Sequence, residues 1–162
     1  MVFLTGVFKM INIMSPINPL GYGVAGLNLC KSLHSLTKIA LWPIGQVQVT
    51  NQEDYQCVME AFNNSKFWSN DAPCIKIWHQ NDMAQFVGKG KRIAFPFFEL
   101  DKFSDIEKHN LSSVDCVFVT SNWAKSIVLS EIPNSQVFVV PLGVDTKIFS
   151  KESKHEYSEK TM

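Results

Sequence analysis

The sequence lacks an excess of charge. Fifteen basic side chains balance fifteen acidic ones, so the 162-residue chain is formally neutral. Generic nucleic-acid binding needs a basic excess to displace counterions from phosphates, so the balance argues against that class. Long hydrophobic runs are also missing: none approaches the ~18 residues a membrane span requires. Residues 1–14 are apolar but are interrupted by Thr5, Gly6, Lys9 and Asn12. They carry no basic leading segment and no small-residue cleavage pattern, which argues against a signal peptide. Cysteine is sparse and unpatterned. Cys30, Cys57, Cys74 and Cys116 stand 27, 17 and 42 residues apart, which fits neither a zinc site nor a redox pair. In apolar surroundings they are expected to be free core thiols of a reduced, cytoplasmic protein. No internal repeat is visible.

What is present is a globular composition, with 46% hydrophobic and 19% charged residues. Disorder of the whole chain is excluded, and the length suits about one domain with a real core. Short apolar runs alternate with longer amphipathic stretches. Strands are expected at residues 7–14 (VFKMINIM), 38–42 (KIALW), 74–78 (CIKIW), 92–98 (RIAFPFF), 115–120 (DCVFVT) and 136–140 (QVFVV). Pro96 weakens the second half of the fourth. Helices are expected at 24–36, at 52–63, at 103–111 with Ser104 as a cap, and from Ser121 to Ser130. Near-continuous apolar strands belong in a parallel sheet covered on both sides. The expected fold is therefore α/β: a Rossmann-like, doubly wound, mostly parallel sheet with helices on both faces. Its ligand crevice should lie at the carboxyl ends of the strands, where strand order reverses. Residues 150–162 hold six charged side chains and only Tyr157 and Met162 as sizeable apolar ones, which predicts a flexible tail.

Four segments at strand exits could carry chemistry. Gly21-Tyr22-Gly23-Val24-Ala25-Gly26 matches G-x-G-x-x-G, yet no carboxylate stands near Leu41-Trp42-Pro43, where a dinucleotide ribose would need one. The weaker reading is a helix start whose free N–H groups attract a phosphate or a sugar hydroxyl; the alternative is glycines used only for turning and close packing. His79, in Trp78-His79-Gln80-Asn81-Asp82, offers a general base, a hydrogen-bond partner for a hydroxyl, or a cap, with Asn81 or Asp82 capping the next short helix. Glu99, in Phe97-Phe98-Glu99-Leu100-Asp101, could hold a hydroxyl or act as a base. Alternatively, Glu99 and Asp101 open the next helix and stabilise its positive end. Thr120-Ser121-Asn122-Trp123 and residues 140–149 mark strand exits.

Taken together, VFVVPLGVDTKIF resembles the hydrophobic–Pro–x–Gly–Val–Asp–x–x–x–Phe signature that closes the N-terminal domain of family 4 glycosyltransferases. FPFFELDKF resembles the same family's aromatic–Glu–x–Asp segment, and VDCVFVTSNWAKSIV resembles the strand exit that follows it. The resemblance covers roughly residues 7–149 and implies one lobe of a GT-B fold. It implies residues 1–149 as an acceptor-side domain and 150–162 as the stub of an interdomain connection. It also implies retaining transfer from a nucleotide-sugar, as co-substrate rather than cofactor, to a carbohydrate or glycolipid acceptor, with no bound metal. By position, Gly21 and Gly23 would lie near the donor phosphates, and Ser121 would line the cleft. His79 or Glu99 would reach sugar or acceptor hydroxyls. The family's donor-binding half, with its Glu-x7-Glu pair, does not occur in these residues, so the expectation is a truncated or separately encoded half that is inactive alone or works with a separately encoded donor-binding domain. The expected location is cytoplasmic, peripheral to a membrane at most. The competing expectation is a non-catalytic Rossmann-like binding or interaction module.

Overall fold

A computed structural model describes residues 9–146 and Phe149. The tail 150–162, and residues 7–8 of the first expected strand, lie outside the described residues. The chain runs β1 (Ile11–Ser15), α1 (Gly21–His34), β2 (Ile39–Pro43), α2 (Gln52–Asn64), β3 (Cys74–Lys76), β4 (Arg92–Ala94), α3 (Asp105–Ser112), β5 (Cys116–Val119), α4 (Asn122–Glu131) and β6 (Val137–Val139). The six strands form one sheet in the order β2-β1-β3-β4-β5-β6. Every pairing is parallel. The order reverses between β1 and β3, which makes their carboxyl ends the crevice of a doubly wound α/β fold.

The two faces of the sheet are apolar for a simple reason: alternate residues of buried parallel strands both meet helices. Register places Ile13 beside Ile75, and Ile75 beside Ile93. Ile13, Ile39 and Leu41 pack against Cys30 of α1 and against Val58 and Ala61 of α2. Ile75, Ile77 and Phe95 pack against Leu29 and Leu33 of α1. The opposite face presents Ala94, Val117, Val119 and Val137, packed against Leu111 of α3 and Ala124 and Val128 of α4. Each fully buried Ile, Leu or Val contributes about 1.5–3 kcal/mol.

Boundaries differ from the expected ones in instructive places. Lys9 and Met10 precede the first strand, which continues instead to Ser15. α1 begins at Gly21, three residues earlier than its apolar spacing suggests, so the glycines sit in its first turns. β4 ends at Ala94 rather than Phe98. Pro96 has no N–H to donate, and Phe95 N makes the last ladder bond, 2.8 Å to the Lys76 carbonyl. A 3-10 turn covers Gln80–Asp82, with His79 at its cap position and no side-chain cap. Asn81 and Asp82 thus lie inside the turn and do not cap it. Asp82 instead reaches the buried Lys76 ammonium at 3.5 Å. Glu99 and Asp101 do not open α3. Its first turn carries Asp105 and Glu107.

Ser104 is the N-cap of α3, as expected. Glu107 Oε2 accepts from Ser104 N at 2.7 Å and from Ser104 Oγ at 2.8 Å. Its other oxygen accepts from Gln80 Nε2 at 2.9 Å, joining α3 to the turn after β3. Burial works to raise the Glu107 pKa, but these three donors outweigh it and hold the carboxyl below its ordinary value. A lowered folded-state pKa gives stability that is present above the unfolded value of about 4.3 and is lost as pH falls through the folded one. Thermal unfolding followed across this range should show that loss, and Glu107→Gln should flatten it while lowering stability at neutral pH by about 1–3 kcal/mol. An unchanged acid limb in the variant would refute this role.

Candidate functional site

The residues singled out in the sequence gather along the carboxyl edge of the sheet. Tyr22 is their centre. It stands in the first turn of α1 and donates its hydroxyl proton to the Phe97 carbonyl at 2.6 Å. Its ring stacks on Phe97, with centroids 5.1 Å apart and planes 12° apart. His79 meets the same ring edge-on at 4.7 Å, and Trp78 lies 5.7 Å from it. One side chain therefore joins the exits of β1, β3 and β4. Burial raises the Tyr22 phenol above its ordinary value, so it remains a proton donor at neutral pH.

This arrangement assigns the protons of His79. Tyr22 has one hydroxyl hydrogen, and the short bond to Phe97 uses it. The 3.4 Å approach between Tyr22 Oη and His79 Nδ1 is then attractive only if Nδ1 carries a hydrogen. The contact therefore favours the Nδ1–H tautomer of the neutral ring. Nε2 keeps a free lone pair on an exposed side chain. Such a nitrogen can accept a hydrogen bond from a hydroxyl group or remove its proton.

The glycines divide by environment. Gly21 is exposed, and a Cβ there would meet nothing. Gly23 is buried, and a Cβ there would fall on the Asn18 backbone. At Gly26 it would strike the Ser15 side chain and lie 2.7 Å from the Pro16 carbonyl oxygen. Gly23 and Gly26 therefore allow α1 to lie against the loop that leaves β1. The helix start itself is bare. Leu20 at the N-cap supplies no side-chain bond, and the first turn has no acidic residue. Asn18 Oδ1 accepts instead from Leu20 N at 3.0 Å. Positive end and open amides face the crevice, the arrangement that receives an anion or a hydroxyl.

Glu99 is exposed beyond Phe97 and Phe98. Ser121 is committed as the cap of α4, its Oγ accepting from Ala124 N at 3.1 Å. Next to it, Phe98 lies 5.0 Å from Phe103 and 6.0 Å from Trp123. Val140, at the exit of β6, packs against the buried group of Ile75, Ile77 and Phe95, as Tyr22 and Phe97 do. Residues 141–146 are exposed. Tyr22, Trp78, His79 and Phe97 thus form one cluster, while Ser121 belongs to a neighbouring group around Phe98. Tyr22, Trp78 and Phe97 carry the geometry but were not candidate residues. The signal was an aromatic at each strand exit, which spacing alone does not link.

The cysteines add no nucleophile. All four are free, and burial pushes the Cys30 thiol up to about 12 and the Cys74 thiol to about 11. Those thiols stay protonated and unreactive at neutral pH. Among the described residues no group of three or more His, Cys, Asp or Glu could hold a metal ion. Nor is any helix among them long and apolar enough to cross a membrane. The chain matches no family model and no curated protein.

Two measurements check this geometry. In ring nitrogen NMR of neutral His79, Nδ1 should carry the proton, and Tyr22→Phe should erase the preference; an Nε2–H ring in the unaltered protein would overturn the assignment. In denaturant unfolding, Gly23→Ala and Gly26→Ala should each cost about 1–3 kcal/mol, whereas Gly21→Ala should be neutral or stabilise by up to about 1 kcal/mol. Equal costs at all three positions would contradict the packing role.

Proposed function

We propose that this chain is the acceptor-side lobe of a GT-B glycosyltransferase of the family 4 type. It would transfer a sugar with retention once joined to a donor-binding domain. The observation that carries this reading is the meeting of Gly21-Tyr22-Gly23, His79 and Phe97–Glu99 at the strand-order reversal of a six-stranded parallel sheet. These segments are far apart in sequence, and by position the resemblance implies that Gly21 and Gly23 lie near the donor phosphates and that His79 or Glu99 reaches sugar or acceptor hydroxyls. In this reading the bare start of α1 receives donor phosphate, with Gly21 leaving the approach open. The Nε2 lone pair of His79 holds a sugar or acceptor hydroxyl, and the exposed Glu99 carboxylate takes a second one. Ser121 shapes the wall through its cap instead of touching ligand with a free hydroxyl. Leu20, Val24, Leu100, Leu142 and Val144 are exposed on the loops and first helical turn of this same edge. Their apolar area suits a covering domain.

Binding tests separate the two halves of the proposal. The isolated chain should bind nucleoside diphosphate sugars only weakly, with Kd at or above about 1 mM by calorimetry. On a glycan array it should retain particular carbohydrates, and His79→Ala and Glu99→Gln should weaken that retention about tenfold, the worth of one hydrogen bond to a ligand. Micromolar nucleotide-sugar binding by the chain alone would overturn the acceptor-side assignment. Absence of any carbohydrate binding, or binding that both variants leave intact, would favour the non-catalytic interaction module.

A further inference from the structure

The neutral net charge conceals a separation of charge between the two edges of the sheet. Lysines stand immediately before three strands or one residue further out: Lys9 before β1, Lys38 before β2 and Lys91 before β4. Lys66, Lys89 and Arg92 stand at the same amino edge, and all six cations are exposed. The acidic residues there are Glu60, Asp71, Asp115 and Glu131; Glu60 lies 3.5 Å from His34, Glu131 pairs with Lys108 at 2.7 Å, and Asp115 accepts from Arg92 N at 2.8 Å, so the six cations still outnumber them. Glu99, Asp101 and Asp145 lie at the opposite, carboxyl edge.

The amino edge also carries the two most exposed large apolar side chains among the described residues. These are Leu36 at 79% and Phe67 at 76%. Both belong to one corner of the molecule. Leu36 follows the end of α1, two residues before Lys38, and Phe67 follows α2, directly after Lys66. Asn64 Nδ2 donates to the Ile39 carbonyl at 3.0 Å, which ties the end of α2 to the start of β2. Trp68 extends the surface towards the basic turn. It packs under Gly88, whose φ of +84° only glycine adopts readily. Lys89 N and Gly90 N both donate to the Asn70 carbonyl, at 2.7 and 3.2 Å. This turn is therefore built rather than loose, and it carries Lys89 and Lys91 next to Gly88 and Trp68.

We propose that the amino edge docks on a bilayer containing anionic lipid. Leu36 and Phe67 enter the headgroup layer, Trp68 lies at its boundary, and the surrounding lysines meet lipid phosphates. Cations alone would serve a nucleic acid equally well. Base stacking, however, requires a π-face, which the most exposed apolar residue, Leu36, does not have. Hydrocarbon contact with flanking lysines accounts for both kinds of side chain. Docking at this edge leaves the carboxyl-edge crevice facing away from the lipid.

Cosedimentation of the full chain with vesicles tests the proposal. Phosphatidylcholine vesicles with about one third phosphatidylserine should carry the protein down, pure phosphatidylcholine vesicles should not, and about 1 M salt should release it. Each lysine near the surface is worth about fivefold in affinity, so K66E/K89E/K91E should weaken binding at least 100-fold. Leu36→Ser and Phe67→Ser, which leave the charge unchanged, should each weaken it too. Matching thermal unfolding of variants and unaltered protein shows that the fold is intact. The proposal fails if anionic vesicles do not bind the chain or if the lysine variant binds as tightly as the original. It also fails if a single-stranded RNA oligonucleotide, and no vesicle, is bound through these lysines.

Discussion

Close approach of α1 to the loop leaving β1 governs the geometry of the crevice. Two glycines permit it, because at Gly23 and Gly26 a side chain would collide with Asn18, Ser15 or Pro16. The approach places Tyr22 where its hydroxyl can reach the Phe97 carbonyl and its ring can meet His79. Three strand exits are then held by one aromatic ring. Phe95, buried beneath them, meets Phe97 edge-on at 5.3 Å and Phe118 at 5.9 Å. The floor of the site is thus continuous with the sheet core, and interior packing is too dense to let its parts move independently.

Polar groups inside the fold follow the same economy of position. Asn12 is fully buried in β1, between β2 and β3, where its amide donates to the Ser69 carbonyl and its oxygen accepts from Trp42 Nε1. It attaches the loop before β3 to a part of the sheet face that α3 and α4 do not cover. Between α1 and α2, Lys31 meets Asp54 at 2.6 Å. Burial works to raise the Asp54 pKa, but the Lys31 ammonium and the Asn51 amide hold the carboxyl below its ordinary value. Lys76, on the same face as Asn12, keeps Asp82 as its ion-pair partner and lies 6.0 Å from the Phe86 ring centre. A buried charge without a partner would be far more costly.

Several of these features were legible in the residues. The six strands and four helices followed from apolar runs and helical spacing. Ser121 as a cap followed from its place between VFVT and a helix. Ser104 as a cap was legible from its type and place, whereas the return bond from Glu107 and its link to Gln80 emerge only from the structure. The start of α1 was misplaced because glycine has poor helix propensity, and packing overrode it. β4 is shorter than the aromatic content of RIAFPFF suggests, because Pro96 lacks the donor that the ladder needs. Asn81 and Asp82 have the side chains of caps, and Glu99 and Asp101 suit the positive end of a helix, yet both roles require a helix to begin there.

Composition and period alone determined that this chain forms a parallel α/β layer structure, because apolar strands with helical crossovers admit few other solutions. They also determined that the strand exits, with their His, Glu and Gly residues, are where chemistry could be placed. Which of those exits meet was decided only in three dimensions. Strand order is set by the pairing of β1 with both β2 and β3, an interaction between residues tens of positions apart. That pairing made Tyr22 the centre of the site and left Ser121 as structure. It also drew Leu36, Phe67 and lysines from separate segments to one edge of a chain whose net charge is zero.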